Sequence, residues 1–340
     1  MVVSKKFTVV LAVVIALSLV FAAGCGGGDK KAEPEKKTEK QVLKLSSVLP
    51  ESHPTHKSML FFAEKVKERT KGQIEIQVFP SSQLGEQRDA LEGMKMGTLD
   101  MGLTSCGPLG QFVPTIDVLN LPFMFKSPEH QYKVLDGKPG QQLIDDINKA
   151  GFVFLFWADS GSRSVINNKR PINTPDDLKG VKIRVMNSQL MVNTLNAMGA
   201  IATPMGQGEV YSALQQGVID GWENSPTTLY TLKLYEVSKY FSWTRHFSTP
   251  DAILISKKVF DKLTPEQQKI FIEVGKETTL KSRELWTADE KKVVEELVKK
   301  GVLFNDVKDV QPFIEKVKPV WKAYTDKFGT ALVDEIQNTK

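Results

Sequence analysis

Arginine is the scarce cation of this 340-residue chain, with seven against 38 lysines. In a sequence that solvates itself with lysine, each arginine raises the question of what its planar fork is for. Arg69, Arg88, Arg170 and Arg283 lie in polar stretches suited to solvation or surface ion pairs, and Arg245 points neither way. Arg163 and Arg184 differ. Arg184 sits inside the strand-like Val181-Lys182-Ile183-Arg184-Val185, and Arg163 follows an apolar run at Ser160-Gly161-Ser162. Both positions read as strand ends, where open α/β sheets bind their ligands. A guanidinium there can hold a carboxylate by two parallel charge-assisted hydrogen bonds. The competing role for each is an inter-strand ion pair.

Other chemistry is thinly represented. Of four histidines only His53 and His56 are close in sequence. Their spacing suits a metal, but no second cluster accompanies them, and two ligands do not make a site. They read as a polar loop before the first helix, with His53 as a candidate ligand contact. There is no G-x-S-x-G elbow, phosphate loop or G-x-G-x-x-G turn, and Cys106 has no evident base beside it. The pattern calls for no catalytic residue, cofactor or metal.

The elements that would position the arginines alternate. Strands are expected at 42–47, 74–78, 99–103, 181–185, 218–220 and 252–255, with helices at 55–70, 86–96, 188–198 and 209–216 between them. This order predicts an α/β fold with a largely parallel sheet. The run Phe152-Val153-Phe154-Leu155-Phe156-Trp157-Ala158 reads as a central strand covered on both faces, and the proline- and aromatic-rich 113–128 as a packed loop. A short helix is expected to start at Thr174-Pro175. Thr264-Pro265-Glu266-Gln267 is a capping box. One helix over 265–300 would be about 54 Å long at 1.5 Å per residue, enough to cross between two domains. A last long helix is expected over 309–328. The composition agrees: 41% apolar and 25% charged residues make a packed globular chain, and its length suits two domains. A net charge of +5 with no basic block in the folded part excludes a typical nucleic-acid binder, and two cysteines exclude a disulfide scaffold.

The first 24 residues read as an address: Lys5-Lys6, an apolar run from Phe7 to Ala23, then small residues. Ala22-Ala23-Gly24-Cys25 resembles a bacterial lipobox, which implies removal of 1–24 and acylation of Cys25; an ordinary secretory signal cut near Ala23 is the alternative. Acylation would tether the chain to a membrane, since each buried CH₂ contributes about 0.8 kcal/mol. Loss of Lys5 and Lys6 takes the charge from +5 to +3. Residues 25–41 have no apolar period and read as a flexible leash.

Three blocks resemble the extracytoplasmic solute-binding proteins of TRAP transporters, the tripartite ATP-independent periplasmic class. The first is Phe79-Pro80-Ser81-Ser82-Gln83-Leu84-Gly85 with Gly97-Thr98-Leu99-Asp100. The second is Asp177-Leu178-Lys179-Gly180-Val181-Lys182-Ile183-Arg184-Val185. The third is Pro204-Met205, Glu209-Val210-Tyr211-Ser212-Ala213-Leu214-Gln215 and Gly217-Val218-Ile219-Asp220-Gly221-Trp222-Glu223-Asn224. The resemblance runs on through Tyr235-Glu236-Val237 to the long C-terminal helix.

It implies a two-lobed, periplasmic-binding-protein-like α/β fold with crossover strands, an interlobe cleft and a long helix spanning both lobes. The expected division is 42–161 plus 250–289 for the first lobe and 162–249 plus 290–340 for the second. The resemblance makes Arg184 the carboxylate clamp, Arg163 its assistant, and Asn187 and Asn224 ligand contacts. Gln207, Trp222, Glu223 and Ser105 join His53 as further candidates, with a packing role open for Trp222. Gln207 replaces the aromatic residue of the sialic-acid branch, and Ser105 and Pro108 replace its acidic and basic residues, which disfavours sialate. Small hydroxy-acids, C4-dicarboxylates and uronates remain. The implied function is extracytoplasmic capture of an organic acid at a bacterial membrane and delivery to TRAP permease subunits, with no catalysis. An enzyme acting on an organic acid, or a binding protein serving a sensor kinase or ATP-driven importer, are the competing readings.

Overall fold

The computed structural model describes residues 40–340. The leader, Cys25 and nearly all of the expected leash lie outside the described residues. In chain order the strands are β1 (Gln41–Ser46), β2 (Ile74–Phe79), β3 (Met101–Ser105), β4 (Phe152–Ala158), β5 (Arg163–Asn167), β6 (Lys182–Val185), β7 (Ile201–Pro204), β8 (Gly221–Asn224), β9 (Tyr240–Phe247), β10 (Asp251–Ser256) and β11 (Leu303–Asp306). The helices are α1 (Pro54–Arg69), α2 (Gln87–Met96), α3 (Cys106–Leu109), α4 (Pro128–Asp136), α5 (Lys138–Lys149), α6 (Gln189–Ala197), α7 (Val210–Gln215), α8 (Pro226–Thr231), α9 (Lys257–Phe260), α10 (Pro265–Lys299), α11 (Gln311–Phe328) and α12 (Ala331–Asn338). Within 113–128, expected as a loop, Pro114–Asn120 forms a 3₁₀ helix.

Two sheets organise two lobes. The first has the order β2-β1-β3-β10-β4 and the second β11-β9-β5-β8-β6-β7. The chain leaves the first lobe after β4 through 159–162 and returns after β9 through 248–250. The returning β10 enters beside the departing β4, so the two must run antiparallel, and β10 is antiparallel to β3 as well. By the same logic β5 is antiparallel to both β8 and β9. Each sheet is therefore mixed, not largely parallel. The apolar β4 is likewise an edge strand, not a central one. Its faces are still covered, by α10 on one side and α5 on the other, which is what the continuous apolar run reports.

Pro265–Lys299 is one helix of 35 residues. Thr264 Oγ1 accepts from the Gln267 N–H and Gln267 Oε1 from the Thr264 N–H, closing the capping box. At about 52 Å the helix reaches both lobes, packing on α1 and β4 of the first and on α8 of the second. Gly161 in the first crossover lies against it. Its φ is +68°, and a Cβ there would sit 2.6 Å from Cζ2 of Trp286, so backbone and space both require glycine. The C-terminal segment is shared: α11 packs on α6 of the second lobe, while α12 returns to α5 of the first, although the sequence division placed all of 290–340 with the second.

Candidate functional site

The recess between the lobes is built from strand ends. Arg184, third residue of β6, is 2% exposed. Its Nε and Nη2 donate to the Met205 carbonyl at 3.0 and 2.7 Å, and Nη1 donates to Gln207 Oε1 at 3.3 Å. A guanidinium has five N–H donors. Three are used, so one remains open on each terminal nitrogen. No carboxylate lies within ion-pair distance of Arg184 among the described residues. Burial pulls its pKa down to about 10, with Glu223 opposing and Arg163 adding to the fall, so it stays charged at neutral pH. A buried cation without a counter-ion is costly, and this one presents a fork to the recess.

Arg163 is in the opposite condition. It opens β5 and is met by Glu223 on the adjacent β8: Nε donates to Oε2 at 2.7 Å, Nη2 to Oε1 at 2.7 Å, and Nη2 also to the Glu223 carbonyl at 2.8 Å. The inter-strand ion pair weighed as its competing role is thus present. Nη1 alone has no partner among the described residues. Behind the pair, His246 Nε2 stands 3.8 Å from Glu223 Oε2, and Nδ1 shares a 2.8 Å hydrogen bond with Thr244 Oγ1. Burial and the Arg163 charge push His246 down to about 3, so it is neutral.

The recess consists of two adjoining cavities, and Arg184, Asn187 and Gln207 line the one at one end with Glu86, Gln87 and Met186. His53, Ser105, Arg163 and Asn224 line the other with Asp251, and Gln87, Met186 and Gln207 belong to both. His53 caps α1, its Nδ1 accepting from the Thr55 N–H at 3.2 Å while Nε2 lies 3.3 Å from Thr228 Oγ1. The proton is therefore on Nε2. Burial lowers its pKa to about 3, and the ring is uncharged. Asn224 Oδ1 accepts from the Ser225 N–H.

Trp222 does not line the recess. Its indole is fully buried among Ile166, Val210, Leu214 and Phe241, donating to Ser238 Oγ at 3.3 Å. The apolar core of the second lobe claims it, and its role is packing. Among the described residues there is no cluster of three or more metal-ligating side chains, and no helix is long and apolar enough to cross a membrane.

Sequence reasoning missed two acids at the site. Glu86 belongs to the first lobe, yet its carboxylate accepts from the Gln207 and Gly208 N–H groups of the second at 2.9 and 3.0 Å, and from Ser82 Oγ at 3.0 Å. Asp89 Oδ2 accepts from the Glu86 N–H at 2.9 Å, and Glu86 stands at the N-cap of α2. A second interlobe contact joins Gln111 Nε2 to the Asn187 carbonyl. Asp251 heads a strand buried along its whole length. An acid at the mouth of an apolar run was the signal that could have found it; Glu86 gave none.

A family model described as bacterial extracellular solute-binding protein, family 7 (DctP), matches residues 45–327. The chain belongs to this family. A solute-binding protein of Chromohalobacter salexigens is 35% identical over 296 residues, 86% of this chain and 88% of that one. A TRAP periplasmic solute-binding protein from Sulfitobacter sp. NAS-14.1 has a crystal structure with bound β-D-galacturonate; it is 40% identical, has a TM-score of 0.85 and covers 88% of this chain and 100% of its own. A counterpart from Polaromonas sp. JS666, bound to D-erythronate, is 32% identical with a TM-score of 0.86 over 88% of this chain and 99% of its own. Membership in family 7 makes this an extracytoplasmic solute-binding protein of the TRAP type, with the two-lobed fold its sequence implied.

Proposed function

We propose that this family-7 chain captures a hydroxylated organic acid, of the uronate or aldonate type, in the interlobe recess and hands it to TRAP permease subunits. One observation carries the reading: Arg184 is buried, charged, unpaired, and holds one open N–H on each terminal nitrogen. A carboxylate would take both donors in parallel. Arg163 is already committed to Glu223, which matches its charge, so it contributes its open Nη1 as a donor rather than a second clamp. Asn187, Asn224, Gln207, Ser105 and His53 would read the hydroxyls. The β-D-galacturonate and D-erythronate held by the similar structures are of this chemical class and support it.

Closure is the signal. The lobes turn about the two crossovers, Glu86 and Gln111 reach over, and the exclusion of water strengthens the bonds to Arg184 as the local dielectric falls. The closed, loaded form docks on the permease, and an ion gradient drives uptake. Acylated Cys25 would hold the chain at the membrane. Native mass spectrometry of freshly purified protein, followed by titration calorimetry with D-galacturonate, D-glucuronate and D-erythronate, tests the reading. The acid should bind at 1:1 and be recovered unchanged. Protein that binds none of these acids, or that turns one over, would reject it.

A further inference from the structure

The recess has a charged end at Arg184 and a second end on the first lobe, where Asp251 stands. Asp251 is 4% exposed. Its Oδ1 accepts from Ser105 Oγ at 2.5 Å, and its Oδ2 accepts from no group among the described residues while the side chain lines the recess. A carboxylate oxygen of a buried side chain that opens onto a cavity calls for a donor. No spare positive charge is present at this end to receive an anion: His53 is neutral, and the Arg163 charge is matched by Glu223 in a two-bond fork. A ligand hydroxyl satisfies Asp251. A second ligand carboxylate meets it as a like charge.

Building on the reading of Arg184 as the carboxylate clamp, we infer that Asp251 is the specificity-determining residue that selects acids with a hydroxylated, uncharged far end and rejects dicarboxylates. The six-residue strand β10 makes the placement rigid. Asp251 pairs with Ser105 of β3 on one side and Ala158 of β4 on the other, so its carboxylate enters the recess from the sheet rather than from a loop.

The test uses matched acids that differ at the far end alone, D-erythronate against meso-tartrate and D-gluconate against D-glucarate, with D-galacturonate as a further monoanion. Each is titrated calorimetrically into wild-type protein, Asp251→Asn and Asp251→Ser at pH 7.5, with melting curves to verify folding. Wild-type protein should favour the monocarboxylate of each pair it binds by about 100-fold or more, the scale of like-charge juxtaposition. Asp251→Asn should narrow that ratio by about tenfold or more, weakening the monoanion and admitting the dianion; Asp251→Ser does the same should the asparagine variant misfold. A folded variant with the wild-type ratio, or wild-type protein that binds both members of a pair equally, overturns the assignment and leaves acid capture standing. Wild-type protein that binds none of the acids overturns acid capture itself, and the assignment falls with it.

Discussion

Replacing Arg184 is the decisive perturbation. Its two open N–H groups, one per terminal nitrogen, can each donate a hydrogen bond between charged partners in a water-free recess, and such bonds contribute about 1.5–3 kcal/mol apiece. Two of them give about 3–6 kcal/mol, which overlaps the 2–5 kcal/mol or more lost when one member of a buried charged pair is truncated. Taking about 3–5 kcal/mol, Arg184→Gln should weaken acid binding roughly 100-fold to several thousand-fold. Arg184→Lys should also bind poorly, because one ammonium cannot replace a planar fork. Calorimetry with D-galacturonate or D-erythronate measures the affinity, and thermal unfolding supplies the control. In the ligand-free protein the variant loses bonds to Met205 and Gln207 but also loses an uncompensated buried cation, so its melting temperature should stay within a few degrees of wild type. Excess acid should then raise the wild-type melting temperature and leave the variant's unchanged. A folded Arg184→Gln protein that keeps wild-type affinity would refute the clamp.

Three further outcomes follow from the geometry. Glu86→Gln replaces a carboxylate that accepts two interlobe backbone N–H bonds with an amide that can accept at one atom only; the closed form should lose about 2 kcal/mol, seen as roughly 30-fold weaker acid binding and less compaction in small-angle scattering, while unchanged compaction would exclude Glu86 as an interlobe latch. Burial raises both Asp117 and Asp251 from 3.8 to about 6, with Asn120 opposing at Asp117, and Ser105 and Arg163 opposing at Asp251, where Asp159 adds to the rise. These two acids therefore bind more protons in the fold than in the unfolded chain between about pH 4 and 6, and their contribution to ligand-free stability falls as pH rises through that window, while His53 and His246, held down to about 3, contribute the opposite slope. Asp251→Asn should remove up to about 3 kcal/mol of that dependence in denaturant titrations at pH 4.5 and 7. Gly161→Ala meets Trp286 at 2.6 Å and a φ of +68°, whereas Gly217→Ala has a φ of +71° and nothing within 4 Å; the first should cost about 1–3 kcal/mol more than the second by chemical denaturation, and equal costs would show that the crossover tolerates the contact.

What the sequence made legible tracks how local each signal is. The long helix was readable to within a residue because Thr264, Pro265 and Gln267 mark its start and its hydrogen bonds close locally. The strand β2 was readable from alternation, and β1 as the short strand that opens the folded part. Residues 218–220 looked strand-like, but Val218 is exposed and the strand begins at Gly221, because pairing with β5 and β6 sets the register. No local pattern encodes that choice. The strands β5 and β9, which sit side by side across the second lobe, went unread for the same reason. At the site, rarity exposed Arg184 and Arg163. Their different fates were not readable, since Glu223 reaches Arg163 only through the β5–β8 pairing. Glu86 was one acid among 40, and its partners come from the other lobe.

The two buried arginines divide the electrostatics of the cleft between them. Arg163 and Glu223 form a pair that lies wholly within the second sheet, so it exists whether the lobes are open or shut. Arg184 feels both charges, Glu223 holding its pKa up and Arg163 pushing it down, with Glu86 and Glu209 also holding it up; Arg184, Arg163 and Glu223 by themselves carry one net positive charge. Shutting the lobes on an empty recess buries that charge, at several kcal/mol for an ion removed from water without a partner. A single carboxylate cancels it and supplies hydrogen bonds, while a second would meet Asp251. On the clamp and Asp251 proposals the penalty falls on empty closure and on dianions alike, and a monoanion favours the shut form. Capture and the shape change that reports it are then one electrostatic event, centred on the charge that the second lobe leaves unpaired.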